Sequence, residues 1–192
     1  TPIRVSGAAS SNDANHISGP SRTGEELAAA VNKALLDAQT DEKDIDFIVF
    51  ATITPDYFFP GSGVLLQREL GLDGSIAALD IRNACSGFIY ALSVADQFIK
   101  TGMYKTILVV GGEIQSTALD ITTRGRNTAV IFGDGAGAAV LSRSDHNGQG
   151  ILSGLPATEC GTSNFVQPRP GASVVAYKGV QALRTLDARG VL

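Results

Sequence analysis

Three short apolar runs, FIVFAT at 47–52, IAALDI at 76–81 and TILVVG at 106–111, are separated by segments with helical spacing. That alternation sets what the chain can fold into. Apolar runs of this length without polar alternation suit strands covered on both faces. Strand, helix and strand in repeated succession predict an α/β layered fold whose parallel strands lie between helices. The intervening segments supply the helices. Over 24–38, Leu27, Val31, Ala34, Leu35 and Ala38 recur near every 3.6 residues, behind a Thr23-x-x-Glu26 capping box. A second helix is expected at 62–70, closed by Gly71. A third, at 86–100, ends near Gly102 and has so narrow a polar face that burial is expected.

The rest of the chain is less periodic. Residues 1–22 are rich in Ser, Gly, Asn and Pro and read as a loop, or as the remains of a segment that began earlier, since the chain does not open with Met. TAVIFG at 128–133 and AGAAVL at 136–141, separated by Asp-Gly, read as a hairpin. Beyond 142 the chain reads as loop to about 173, with one more helix expected at 174–189.

With 192 residues, 44% of them apolar, the chain suits one well-packed domain. A net charge of −4 with 18% charged residues argues against a general electrostatic grip on nucleic-acid phosphates. Cys85 and Cys160 are too few for a disulfide framework and lack the paired spacing of a zinc site. Reduced thiols in a cytoplasmic protein are expected. No apolar run approaches the roughly 20 residues needed to span a bilayer, so neither membrane nor nucleic acid is expected as a partner.

Chemistry concentrates at Asn83-Ala84-Cys85-Ser86-Gly87-Phe88, where a predicted buried strand gives way to a predicted buried helix. A helix N-terminus carries partial positive charge that favours thiolate over thiol, and the thiolate is the nucleophile. Small Ala84, Ser86 and Gly87 keep the approach open. Taken alone, the stretch is more often a plain buried cysteine. In the glycine-rich run Phe132–Ala138 a second strand follows where a phosphate loop would need a helix, so its glycines read as close packing between layers. VVGGEIQS at 109–116 lacks the full dinucleotide fingerprint. Arg124 and Arg126, in Thr122–Asn127, read first as solvated surface, with a phosphorylated carrier or nucleotide as the alternative. His16 and His146 sit in irregular stretches, and neither is placed like a catalytic base. Phe58-Phe59-Pro60 is an apolar loop tip that either packs on its own domain or marks an interface.

Together, Ala84-Cys85-Ser86-Gly87-Phe88 with Tyr90-Ala91-Leu92, and Thr123-Arg124-Gly125 with Ile131–Ala138, resemble in order and spacing the β-ketoacyl-acyl carrier protein synthase III (ketosynthase III) family of the thiolase superfamily, over about residues 24 to 155. The resemblance implies an α-β-α-β-α layered fold with a mixed, largely parallel sheet. Residues 1–155 would form the first of two duplicated halves, and 156–192 the start of a connecting or C-terminal region. It implies that Cys85 accepts an acyl group from acyl-CoA and condenses it with malonyl-acyl carrier protein, with the Cys85 backbone N–H in the oxyanion hole. Arg124 and Gly125 would meet CoA, and Phe59 would reach across a homodimer to shape the neighbour's acyl pocket. No resident cofactor is implied; acyl-CoA and acyl carrier protein are substrates. The family's nucleophile works with a His and an Asn from a second half, and no stretch here resembles the motifs that carry them. A lone half would expose a broad apolar face. Two other readings are another thiolase-fold condensing enzyme, acting on malonyl-CoA or joining two acyl chains, and a non-catalytic partner subunit.

Overall fold

The computed structural model describes residues 3–12, 25–72, 74, 76–144 and 151. Within them a five-stranded sheet is built from β1 (Ile3–Asn12), β2 (Phe47–Ala51), β3 (Ala77–Ile81), β4 (Thr106–Glu113) and β5 (Gly135–Arg143), in the spatial order β1-β5-β4-β2-β3. β2 pairs in parallel with both β3 and β4, while β5 pairs antiparallel with both β4 and β1. Four of the five strands therefore point the same way. The helices are α1 (Glu25–Ala38), α2 (Ser62–Glu69), α3 (Gly87–Lys100) and a single turn, α4 (Arg126–Ala129).

The apolar runs are continuous because they serve two cores at once. In β2 and β4, Ile48, Phe50, Leu108 and Val110 face a cluster that includes Val31, Ala34 and Leu35 of α1, with Leu66 of α2 against it. Their neighbours Phe47, Val49, Ala51, Ile107 and Val109 face the opposite cluster, which contains Ala91, Ala95 and Ile99 of α3. Successive side chains on a strand point to opposite faces, so a run apolar at every position needs a helix on each side. Burying each Val, Leu or Ile stabilises the fold by about 1.5–3 kcal/mol. The result is a helix–sheet–helix sandwich, three of the five layers that the family resemblance implies.

The helices stop where their chemistry dictates. Gly71 and Gly102 take φ values of +70° and +77° just past α2 and α3, the left-handed conformation that glycine adopts without a Cβ penalty. The chain turns back there, with Leu72 N–H donating to Gln67 O at 2.9 Å and Met103 N–H to Phe98 O at 3.0 Å. On the outer face of α1, Lys33 and Asp37 pair at 3.1 Å one turn apart.

Several sequence expectations need correction. The first residues are not a loop: Ile3–Asn12 form β1, alongside β5. Their Ser, Gly and Ala residues have weak strand propensity, yet α1 crosses so closely that little else fits. A Cβ on Gly7 would lie 2.2 Å from the Ala34 carbonyl oxygen and 2.5 Å from the Ala38 nitrogen. Nor is there a hairpin at 128–141. Its first run breaks into α4 and a turn whose Val130 and Ile131 are 82% and 72% exposed. Only the second run is a strand, and its partners are β1 and β4. The first run fails as a strand because no described neighbour offers it a ladder, and the carboxylate of Asp134, in the supposed turn, bonds Ser116 instead.

The strand at 76–81 is not buried either. β3 lies at the sheet edge with its side chains half-exposed or exposed. Likewise α3 buries one face, through Gly87, Ala91, Ala95, Asp96 and Ile99, and its other apolar residues stay partly open. Among the described residues, Ile121, Val130 and Ile131 are large apolar side chains exposed to solvent. The capping residue Thr23, His16, His146, Cys160, the helix at 174–189 and the segment 156–192 lie outside the described residues. No helix among the described residues is long and apolar enough to cross a membrane.

The β1–α1 contact gives a direct test. Gly7→Ala puts a methyl group into backbone that cannot yield, so it should destabilise the protein by about 1–3 kcal/mol, the usual range for overpacking. A urea titration of the wild type and the variant measures this as a lower midpoint at similar slope.

Candidate active site

The site is built where the parallel strands end, the edge at which open α/β sheets leave a crevice. β3 runs out through Arg82 and Asn83 into a tight 3₁₀ turn, Ala84–Ser86, and α3 begins at Gly87. Ala84 holds φ at +49°, a left-handed conformation uncommon for a residue with a Cβ and costly enough to need support from its surroundings. That support is local. Ser86 Oγ donates to Asn83 O at 2.9 Å and accepts from Asn83 Nδ2 at 3.2 Å, while Gly87 N–H donates to Ala84 O. The Cys85 N–H takes part in none of these bonds.

Cys85, at the middle of the turn, is a free and exposed thiol. The expectation of a plain buried cysteine is therefore excluded. The sharp turn puts the thiol outside the core, just ahead of a 14-residue helix whose N-terminal partial positive charge points toward it. Packing fixes the helix start: the Phe88 ring lies against Gly111 of β4, where a Cβ would approach it to 2.9 Å. Ala91 and Ala95 sit fully buried on the sheet.

Three carboxylates that the motif reading passed over hold the loops around this edge. Asp80, on β3, accepts from the N–H groups of Ser62 at 2.7 Å and Gly63 at 2.8 Å, capping the start of α2. Glu113, at the end of β4, accepts from Ile53 N–H at 3.0 Å and from the hydroxyl of Thr54, binding the loop after β2. Asp134 accepts from Ser116 N–H at 2.8 Å and from the Ser116 hydroxyl. The available signal was an acidic residue at or near the end of each apolar run, in LDI, VVGGE and FGDG. Such placement puts charge where loop N–H groups lack strand partners.

The other expected site residues fall into separate local structures. Phe59 lies in the loop after β2, is 91% exposed and precedes a cis peptide bond to Pro60. The Arg124 side chain is 91% exposed, and its Nε donates to Asp120 at 2.9 Å. Gly125 has a packing reason to be glycine, because a Cβ there would sit 1.7 Å from the Asp120 carbonyl oxygen. Among the described residues, no hydrogen bond, ion pair or ring contact joins Cys85 to Phe59, Arg124 or Gly125.

The turn that presents Arg124 is organised by Asp120. Its carboxylate accepts from the Thr122 hydroxyl at 2.6 Å, the Thr122 N–H at 3.0 Å and Arg124. These bonds, the Thr122 hydroxyl first, lower its pKa below the ordinary aspartate range. Because the folded-state value lies below the unfolded one, the turn's contribution is complete above the unfolded pKa and is lost as pH falls through the folded one. Carboxyl NMR titration should therefore find Asp120 with a depressed midpoint. Thr122→Val should raise that midpoint more than Arg124→Gln does.

Residues 79–159 match the family model described as 3-oxoacyl-[acyl-carrier-protein (ACP)] synthase III. Among solved structures, the chain is similar to the 3-oxoacyl-[acyl-carrier-protein] synthase III of Aquifex aeolicus VF5. Identity is 33% and the TM-score 0.70, with 77% of this chain and 56% of that one covered. It is similar also to the priming β-ketosynthase of the R1128 polyketide biosynthetic pathway, at 30% identity and a TM-score of 0.68, covering 77% and 52%. The synthase III of Pseudomonas aeruginosa PAO1 matches at 28% identity and 0.69, covering 80% and 54%. The chain thus spans little more than half the length of these relatives. The turn and helix that expose Cys85 fall inside the matched stretch, and on that evidence residues 79–159 are of the 3-oxoacyl-[acyl-carrier-protein] synthase III family, in a chain that carries part of that family's thiolase-like fold.

Proposed function

We propose that this protein is an acyltransferase of the condensing type, which forms a 3-oxoacyl product from an acyl-CoA and malonyl-acyl carrier protein in fatty-acid or related biosynthesis. The observation that carries the reading is the placement of Cys85, exposed on a strained turn at the mouth of the sheet and at the foot of α3. In the first half-reaction the Cys85 thiolate attacks the thioester carbonyl carbon. The carbon–sulfur bond to CoA breaks, CoA leaves as a thiol after taking up a proton, and the acyl group stays on Cys85. Negative charge that develops on the carbonyl oxygen is met by the Cys85 backbone N–H. In the second, malonyl-acyl carrier protein loses CO2, and the carbanion formed attacks the acyl carbonyl. A carbon–carbon bond forms as the Cys85 sulfur departs. Dividing the transfer in this way is covalent catalysis.

The remaining roles belong to the same proposal. Arg124, with an exposed guanidinium whose Nη groups take no part in the described bonds, and Gly125 meet CoA. Phe59 shapes an acyl pocket across a homodimer. The exposed edge strand β3 and the exposed Tyr57, Phe58 and Phe59 support that assembly, since a second copy would cover both. Residues 1–155 form the nucleophile-bearing half and 156–192 lead into the next region of a cytoplasmic enzyme.

The intact mass of the protein, with and without a panel of short and medium acyl-CoAs, tests the first half-reaction. One acyl group per chain is expected, lost in Cys85→Ala, with the best donor giving the preferred chain length. No adduct from any donor on the full polypeptide would overturn the proposal in favour of a non-catalytic partner subunit.

A further inference from the structure

The segment that delivers Cys85 also grips the loop that carries Phe59, at two points and with two opposite charges. Asp80 holds one end through Ser62 N–H and Gly63 N–H. The fit is close: a Cβ on Gly61 would lie 2.7 Å from the Asp80 carboxylate. Two residues on, Arg82 holds the other end. Its guanidinium stands over the Phe58 ring, 5.3 Å from the centroid, and Nη2 donates to the Phe58 carbonyl oxygen at 3.4 Å. Phe58 and Phe59 are otherwise exposed, and no other described side chain bonds the Tyr57–Gly61 bend.

We propose that Arg82 and Asp80 are positioning residues that set acyl-chain selectivity. By clasping the Phe58–Gly61 bend to the Cys85 strand, they fix where the neighbouring Phe59 projects and so the depth of the acyl pocket it borders. This rests on the role given to Phe59 above. The physical division of labour is clear. Asp80 makes two charge-assisted bonds to a helix start and sets the bend's base. Arg82 makes a cation–π contact at an exposed site, weak enough for the bend to shift when it is lost without unfolding the domain. Arg82 is exposed, so Arg82→Gln removes the clasp while leaving the core intact.

The test compares wild type, Arg82→Gln and Arg82→Lys as full-length polypeptides. One readout is the ratio of Cys85 alkylation rates with N-ethylmaleimide and with a longer N-alkylmaleimide, followed by intact mass. The other is the acyl-CoA chain-length profile of Cys85 acylation. In Arg82→Gln both should shift by about two- to fivefold, the scale of an exposed cation–π contact, with unchanged thermal midpoint. Arg82→Lys should recover most of the shift, because an ammonium also lies favourably over a ring. An unchanged alkylation ratio in Arg82→Gln, including an equal loss of rate with both reagents, would overturn the proposal. If the alkylation ratio shifts while no acyl-CoA ever labels the wild type, the clasp stands and the condensing reading falls.

Discussion

Burial of β2 and β4 on both faces is the constraint on which the rest of the structure depends. Residues 47–51 and 107–110 are buried at every position, so neither strand tolerates water on either side. Helices must then cover both faces, α1 and α2 on one and α3 on the other. Parallel pairing follows from the same arrangement, because each crossover carries the chain back to the starting edge through a helix. All three parallel strands consequently end together, and the loops that follow them share one edge. The exposed thiol belongs to that edge.

Close packing imposes the second set of demands, met by removing side chains. Gly7 lets α1 touch β1, and Gly111 receives the Phe88 ring. Neither position would be chosen for strand propensity, yet a methyl group at Gly7 would collide with helix backbone. The same logic operates at Gly125, beneath the Asp120 carbonyl. A glycine that motif comparison associates with a ligand therefore has a structural reason of its own. Both roles can coexist, because a backbone allowed close to another backbone is also open to a ligand from its other side.

Around Cys85, order comes from charge placed at strand ends. Asp80, Glu113 and Asp134 each accept N–H groups that the sheet no longer serves. Ionised acceptors bond backbone donors more strongly than neutral ones, so three short loops gain fixed positions without a core of their own. The turn holding Cys85 differs, being held by the Asn83–Ser86 bonds and by the helix it starts. Strain at Ala84 is tolerated because the strand before it and the helix after it are both anchored in packed layers.

Local sequence determined the elements with dense burial: α1, α2, β2, α3 and β4 lie where apolar spacing put them, and Gly71 and Gly102 end helices as glycine chemistry requires. The placement of Cys85 between strand and helix was equally legible, through the small residues around it. What sequence could not determine was decided by partners distant along the chain. β1 is a strand because β5 and α1 accept it, although its residues alone favour a loop. TAVIFG has strand-like residues but no ladder to join, while AGAAVL is drawn between β1 and β4. The exposure of β3 likewise depends on its place at the sheet edge. Periodicity reports the faces a segment must bury, but only the assembled sheet supplies the neighbours that bury them.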